Sequence, residues 1–163
     1  MKPSEKQENK KIKLGNHEFS MRPIGYRDTE ALHQLDSLCF PPERAFTEGY
    51  FLLLFFYEDA FGWMLEEDDR LAAFILLTQK RQRMNIATID VHPDYRRRGI
   101  GTKLMELAEE HARAMNTKTL TLQVETTNTP AIRLYHRFGF EKDRILSNYY
   151  VNADAWQMHK KLT

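Results

Sequence analysis

The sequence predicts a mixed α/β domain, and three observations carry that prediction. Stretches with apolar residues at every second position interleave with stretches where they recur every three or four. The second half runs strand, helix, strand, helix, strand. At 163 residues and 42% hydrophobic content, the chain suits one domain, large enough to bury roughly 70% of its unfolded surface without staples. The single Cys39 excludes an internal disulfide framework and a cysteine-based zinc cluster, so no metal site is expected and a reducing, cytoplasmic setting is. A formal net charge of +1 argues against a nucleic-acid partner that binds through overall basicity. The longest apolar run, Tyr50 to Tyr57, falls far short of the ~20 residues that cross a bilayer, and no charged-then-apolar leader opens the chain. No membrane partner is expected.

The elements follow in order. Met1 to Lys13 holds five lysines and two glutamates with almost no apolar residues. Residues 1–16 are therefore expected as a flexible Lys-rich tail, solvated or an RNA-attracting arm, and 17–163 as the single domain. Phe19 to Arg22 reads as a short strand. Arg27 to Cys39 reads as a helix, with Ala31, Leu32, Leu35 and Leu38 on one face. Pro41 and Pro42 end it and force an extended loop. Thr47 caps a second, aromatic-rich helix through Phe56. Strands follow at Phe61–Leu65, Arg70–Thr78 and Met84–His92, separated by polar turns. Gly101 to Met115 reads as an amphipathic helix with Leu104, Leu107, Ala108, His111, Ala112 and Met115 inward, His111 as a core histidine rather than a ligand. Thr119 to Glu125 alternates as a strand. Pro130 suits the first turn of a last helix, which Gly139 closes, and strands near Phe140–Leu146 and Ala155–Lys161 finish the chain.

The segment from Val91 to Thr102 carries the chemistry. It joins a strand to an amphipathic helix and contains Arg96, Arg97, Arg98, Gly99, Ile100 and Gly101. Two glycines let main-chain amides converge on a ligand with no Cβ in the way. The helix start adds unpaired amides and the positive end of its dipole, and the arginines add cationic donors. A pyrophosphate cradle is the reading. A Walker loop would need Gly-Lys-Ser/Thr after four intervening residues, and the dinucleotide fingerprint would need glycine where Leu104 stands. Neither is present.

Arg96-Arg97-Arg98-Gly99-Ile100-Gly101 resembles the Q/R-x-x-G-x-G/A coenzyme A motif of the GNAT N-acetyltransferase superfamily. Val91-His92-Pro93, the run from Asn128 to Tyr135, and Gly139-Phe140 match that family in order and spacing, so the likeness spans nearly all of Phe19 to Leu162. The resemblance implies a splayed central mixed sheet of about seven strands flanked by about four helices, with acetyl-CoA as acetyl donor in the wedge. It implies that Ile89, Asp90 and Val91 pair with the pantetheine arm and thioester. Arg96, Arg97, Arg98, Gly99, Ile100, Gly101 and Thr102 would hold the pyrophosphate, and Asn128 and Tyr135 would approach the far side.

Two further stretches resemble the protein N-terminal acetyltransferases, including the RimI-like ribosomal-protein enzymes. They are Phe40-Pro41-Pro42-Glu43, and Asn148-Tyr149-Tyr150 followed by Asp154-Ala155. By that resemblance Phe40, Pro41, Pro42, Glu43, Gln123, Tyr149 and Tyr150 flank a groove for the acceptor. The acceptor would be a protein or peptide N-terminus, a ribosomal protein among the candidates, and the enzyme a monomer or weak homodimer. Tyrosines suit a peptide groove, offering an apolar face and a hydroxyl; the same pair could also be ordinary strand residues.

The expected reaction is direct attack of the amine on the thioester, with a main-chain amide near Val91 stabilising the oxyanion. Tyr135 protonates the thiolate, as the family likeness implies. Cys39 lacks an evident base, which disfavours a thiol intermediate. The general base is open, because Asn85 and Gln123 stand where relatives often carry a titratable side chain. Glu43 is the preferred candidate, with Asp90, His92, Glu125 and a water held by Gln123 as alternatives. An α-amine of pKa ~8 is roughly a tenth neutral near pH 7, whereas a lysine of pKa ~10.4 is almost wholly charged, which favours an N-terminal acceptor where a strong base is missing. Small-amine acetylation and a catalytically weak acyl-CoA-binding module are the rival expectations.

Overall fold

The computed structural model describes residues 9–163. One sheet holds β1 (Lys10–Leu14), β2 (His17–Pro23), β3 (Phe61–Glu67), β4 (Arg70–Lys80), β5 (Arg83–Val91), β6 (Thr119–Glu125), β7 (Glu141–Tyr150) and β8 (Ala153–Lys161). Their spatial order is β1-β2-β3-β4-β5-β6-β8-β7. The helices are α1 (Thr29–Cys39), α2 (Glu48–Tyr57), α3 (Ile100–Ala114) and α4 (Thr129–Arg137). Every neighbouring pair is antiparallel except β5 and β6, which α3 connects as a crossover.

The eighth strand corrects the expectation of a flexible tail through residue 16; residues 1–8 of that tail lie outside the described residues. Lys11-Ile12-Lys13-Leu14 alternates polar and apolar, and Ile12 enters the core. Leu14 pairs with His17 across a two-residue turn in which Gly15 adopts φ +61°. A Gly-Asn pair in that position is a strong hairpin signal. The lysines face water while the strand completes an edge.

Two cores sandwich the sheet. Phe74 and Leu76 of β4 pack with Leu32 and Leu35 of α1, Phe51 and Leu54 of α2, and Met64. Ile75 and Leu77 of the same strand pack on the opposite face with Leu104, Met105 and Ala108 of α3, and with Ile132 and Tyr135 of α4. A strand covered on both faces needs an unbroken apolar run, and Ala72 through Leu77 are fully buried. Gly62 of β3 admits nothing larger, since a Cβ there would stand 1.9 Å from the Ile75 carbonyl oxygen.

Local chemistry sets the helix ends. The Thr47 hydroxyl oxygen accepts the Tyr50 amide at 3.1 Å, and Asn128 Oδ1 accepts the Ala131 amide at 3.3 Å. The helix expected from Arg27 begins at Thr29, after a single tight turn over Tyr26–Asp28. Asp28 secures that turn by accepting the Gly25 amide at 2.8 Å and the Arg22 guanidinium at 2.8 Å. His111 lies between the rings of Phe61 and Trp63, at 5.0 and 5.2 Å between centroids, and burial lowers its pKa.

The feature that positions the site is a gap in the sheet. β5 and β6 pair only from Arg83–Ile86 to Thr119–Leu122, although β5 continues to Val91 and β6 to Glu125. On its other edge β5 pairs Ile86 with Leu77 and Thr88 with Leu76, leaving Ala87 as a bulge at the point of divergence. An extra residue in one strand bends it and sharpens its twist. The two strand ends splay apart.

Candidate active site

A cavity of about 790 Å³ fills the splayed gap. It runs from the start of α3 to the loop between α1 and α2. His92 donates its amide to the Ala72 carbonyl at 2.8 Å. In an antiparallel ladder hydrogen-bonding residues alternate, so the main-chain groups of Val91 and Ile89 face the opposite way, into the gap. The Val91 carbonyl already accepts Arg96 Nε at 3.1 Å and the Cys39 thiol at 3.4 Å.

One end of the cavity is built for an anion. Arg97 (φ +63°) and Gly99 (φ +78°) turn the chain through left-handed conformations, which curl successive amides around a concavity. The first helical bond of α3 runs from the Lys103 amide to the Gly99 carbonyl, at 3.0 Å. The amides of Ile100, Gly101 and Thr102 precede it and have no intrahelical acceptor. Arg96, Arg97, Gly99, Ile100, Gly101 and Thr102 all line the cavity. A Cβ on Gly101 would stand 3.4 Å from the Leu134 side chain of α4, an ordinary contact, so the two helices meet beside the anion loop.

Arg98 is turned outward. Its guanidinium donates to His17 Nε2 at 2.6 Å and lies 5.5 Å above the Tyr95 ring, where Arg70 covers the other approach at 5.6 Å. Arginine only donates, so His17 Nε2 accepts and its Nδ1 proton goes to Glu67 Oε1, 2.7 Å away. Arg98 thus braces the anion loop from behind. Arg137 of α4, which the sequence reading passed over, lines the cavity instead, as do Asn128 and Tyr135.

The other end is aromatic and more crowded. Phe40, Arg44 and Phe46 approach from the α1–α2 loop, Gln123 and Glu125 from β6, and Tyr150 from β7. Arg44 grips both oxygens of Glu125, at 3.1 and 3.3 Å, and donates to the Val151 carbonyl. Its guanidinium also lies 5.7 Å from the centre of the Tyr150 ring. One arginine therefore ties the loop to β6 and to the β7–β8 turn, and it occupies Glu125. Pro41, Pro42 and Glu43 are exposed and do not line the cavity. Tyr149 also lies outside it, edge-on to Tyr150 at 4.9 Å. Burial, then Tyr149 and Glu125, push the Tyr150 phenol up to about 12.

Gln123 donates to Asn85 Oδ1 at 3.2 Å and to Gln157 Oε1 at 3.0 Å, and the Thr121 hydroxyl donates to Asn85 at 2.9 Å. This amide cluster spans β5, β6 and β8 and contains no group of useful basicity. His92 faces Arg70 Nη2 at 3.1 Å, outside the cavity. The Tyr135 phenol is buried, and desolvation, then Tyr150 and Asp90, hold it protonated well above its ordinary pKa. Burial, then Asp90, push the Cys39 thiol up to about 11.

Beneath the gap lies a carboxyl pair that the sequence did not reveal. Asp36 of α1 and Asp90 of β5 are each 1% exposed; α1 packs on β5, and each carboxyl shifts the titration of the other. Asp36 Oδ2 accepts the Phe46 amide at 2.6 Å, and Asp90 Oδ1 accepts the Thr88 hydroxyl at 2.7 Å. Asp90 Oδ2 meets no donor among the described residues. Burial raises both pKa values, with Asp36 adding to the rise at Asp90. Asp36 lines the cavity and Asp90 does not.

Comparison with known proteins gives this geometry a context. The profile of the acetyltransferase (GNAT) family matches residues 29–140. The ribosomal protein bS18-alanine N-acetyltransferase of Salmonella typhimurium is 37% identical over 91 residues, 56% of this chain and 62% of that protein. This chain thus spans a little under two thirds of the length of that relative. An N-alpha-acetyltransferase of Sulfurisphaera tokodaii is 27% identical over 157 residues, covering 86% of this chain and 92% of the relative. Among solved structures, the ribosomal-protein-S18-alanine N-acetyltransferase of Escherichia coli superposes with a TM-score of 0.81 at 24% identity, over 89% of this chain and 94% of that one. At that identity the superposition speaks for the fold.

Proposed function

This chain belongs to the acetyltransferase (GNAT) family, and from that premise we propose that it transfers an acetyl group from acetyl-CoA to the N-terminal α-amine of a protein or peptide. The observation that carries the proposal is the continuous cavity between splayed β5 and β6, with an amide-lined anion end, an aromatic end, and Tyr135 on its wall. The residues fit a coenzyme A donor. Free amides from Ile100 to Thr102, with Arg96, Arg97 and Arg137, suit a diphosphate. The outward main chain of Ile89 and Val91 suits an extended arm that carries its own amides. When bound, acetyl-CoA supplies the activated thioester.

The chain's own residues do the rest. Tyr135, whose proton is held tightly by burial, donates it to the leaving sulfur. Cys39, protonated at neutral pH and bonded to the Val91 carbonyl, takes no covalent part. Phe40 and Tyr150 flank the acceptor end, and Arg44 fixes their separation. Glu43, the base preferred from sequence, is exposed and does not line the cavity. The named relatives that act on protein N-termini support an α-amine acceptor, with a ribosomal protein as the first substrate to try. The test is a panel of peptides with free N-termini, the same peptides Nα-blocked but carrying lysine, and small polyamines and amino acids. Acetylation of the free N-termini alone is expected. Turnover confined to small amines would overturn the acceptor assignment.

A further inference from the structure

We infer that Asp36 is the proton acceptor for the incoming amine, held in its ionised form by a protonated Asp90 behind it. The inference rests on the acetyl-transfer reading above and names a residue for the step that reading leaves open.

The hydrogen bonds distribute the proton. Two neighbouring carboxyls, both removed from water on elements that pack together, cannot both be charged, so the pair holds one proton at neutral pH. Asp90 Oδ1 is taken by the Thr88 hydroxyl. Its Oδ2 meets no donor among the described residues, yet a buried carboxylate oxygen is rarely left bare. An O–H on Asp90 Oδ2 directed at Asp36 satisfies both groups. Asp36 then has the complementary environment: it accepts the Phe46 amide at 2.6 Å and the Asp90 hydroxyl, so it bears the charge. Of the two, it alone lines the cavity.

Its position suits the chemistry. The charged and titratable groups around the pair are His33 and Cys39 on α1, Arg96 at the anion loop, Tyr135 on α4, and Tyr150 on β7. Asp90 acts on the Tyr135 phenol, and Asp36 on that of Tyr150. Asp36 and the acid Tyr135 therefore line the same gap that the Val91 main chain enters, with Asp90 behind Asp36. A carboxylate whose pKa burial has raised holds a proton better than an exposed one and is the stronger base.

The proton balance closes. The acceptor arrives as R–NH3+ and yields one proton to Asp36. The nitrogen lone pair forms the C–N bond, the C–S bond breaks with its electrons on sulfur, and sulfur takes the Tyr135 proton. The surplus nitrogen proton restores Tyr135 through water. The products are amide, thiol and one proton on Asp36, which passes to solvent.

Asp36→Asn and Asp90→Asn separate the roles. For Asp36→Asn, kcat/KM at pH 7 is expected to fall by about 100-fold or more, in the range of a lost general base. The loss should shrink to less than tenfold at pH 9.5, where the amine is already neutral, with acetyl-CoA affinity unchanged by calorimetry. Asp90→Asn offers Asp36 an N–H in place of an O–H, a weaker donor. It should keep the acidic limb of Asp36 in the rate profile, moved to higher pH, whereas in Asp36→Asn the rise that remains follows the amine's own deprotonation near pH ~8. Carbon-13 spectra of aspartate-labelled protein without donor read the pair directly: Asp90 should be protonated and Asp36 ionised at pH 7. Asp36→Asn activity within threefold of wild type at every pH, a reversal of the two variants, or both carboxyls ionised would overturn the inference. The rates are read on whichever amine the wild type acetylates, so failure of the peptide panel alone refutes the N-terminal acceptor and leaves Asp36 to be judged by its own variants and spectra.

Discussion

Gly99 separates the conformational demands of the anion loop from its ligand chemistry. The residue sits at φ +78°, and a Cβ built on it meets nothing within 4 Å. Alanine there incurs only the left-handed backbone penalty, ~1–2 kcal/mol for an L residue. For a domain of this size that corresponds to a melting temperature lower by roughly 2–8 °C. Glutamate carries the same backbone penalty and adds a negative charge to the wall of the anion pocket. A carboxylate about 5 Å from one diphosphate charge, at an effective dielectric of ~20, costs about 3 kcal/mol, or roughly 200-fold in affinity. Thermal unfolding and calorimetric titration with acetyl-CoA read the two effects apart. Gly99→Ala should melt early yet bind within about fivefold of wild type, scaled to the strain. Gly99→Glu should melt like the alanine variant and bind about 200-fold more weakly, with a loss that eases as salt rises. Gly99→Glu binding within threefold of wild type would refute the placement of the diphosphate.

Other outcomes follow from the same geometry. Tyr135→Phe should lower kcat while leaving the KM for peptide within about twofold, because the phenol is engaged only as sulfur departs; steady-state kinetics at saturating acetyl-CoA reads this, and an unchanged kcat removes Tyr135 from the mechanism. Arg44→Ala breaks a bidentate pair whose partners are 12% and 28% exposed and frees the loop from β6; the peptide KM should rise roughly tenfold, about 1.4 kcal/mol, with acetyl-CoA affinity preserved in calorimetry. Cys39, pushed up to about 11, should react with iodoacetamide at pH 8 about 200-fold more slowly than a free thiol of pKa ~8.5; alkylation at the free-thiol rate would contradict its burial. Gly62→Ala forces a Cβ to within 1.9 Å of the Ile75 carbonyl, so β3 must part from β4, and chemical denaturation should show a loss of at least ~3 kcal/mol.

Most of the fold was legible because its signals are local. The strand at Thr119–Glu125 is read to the residue from alternation alone; Thr47 announces a helix start through the bond it makes three residues on, and Pro130 announces another by its place in the first turn. β1 was misread because its lysines masked the alternation of Ile12 and Leu14, although Gly15-Asn16 is a hairpin turn in plain view. The anion loop was legible for the same reason as the caps: its chemistry lies in consecutive main-chain amides, which glycine positions betray. Side chains that act across the fold were not. Arg44 meets Glu125 only because the α1–α2 loop crosses the splayed strands, 81 residues away in sequence. Asp36 was not singled out in α1, and only the packing of that helix on β5 brings it near Asp90. Arg98 had the right composition and the wrong direction, since Tyr95 and His17 hold it outside.

A crystal structure with coenzyme A joined covalently to the α-nitrogen of a short peptide tests the central claim most directly. The diphosphate should rest on the amides of residues 99–102, the pantetheine arm along Ile89 and Val91, and the peptide between Phe40 and Tyr150, with its first nitrogen nearest Asp36. A conjugate that leaves the β5–β6 gap empty and lodges its diphosphate elsewhere would contradict the account.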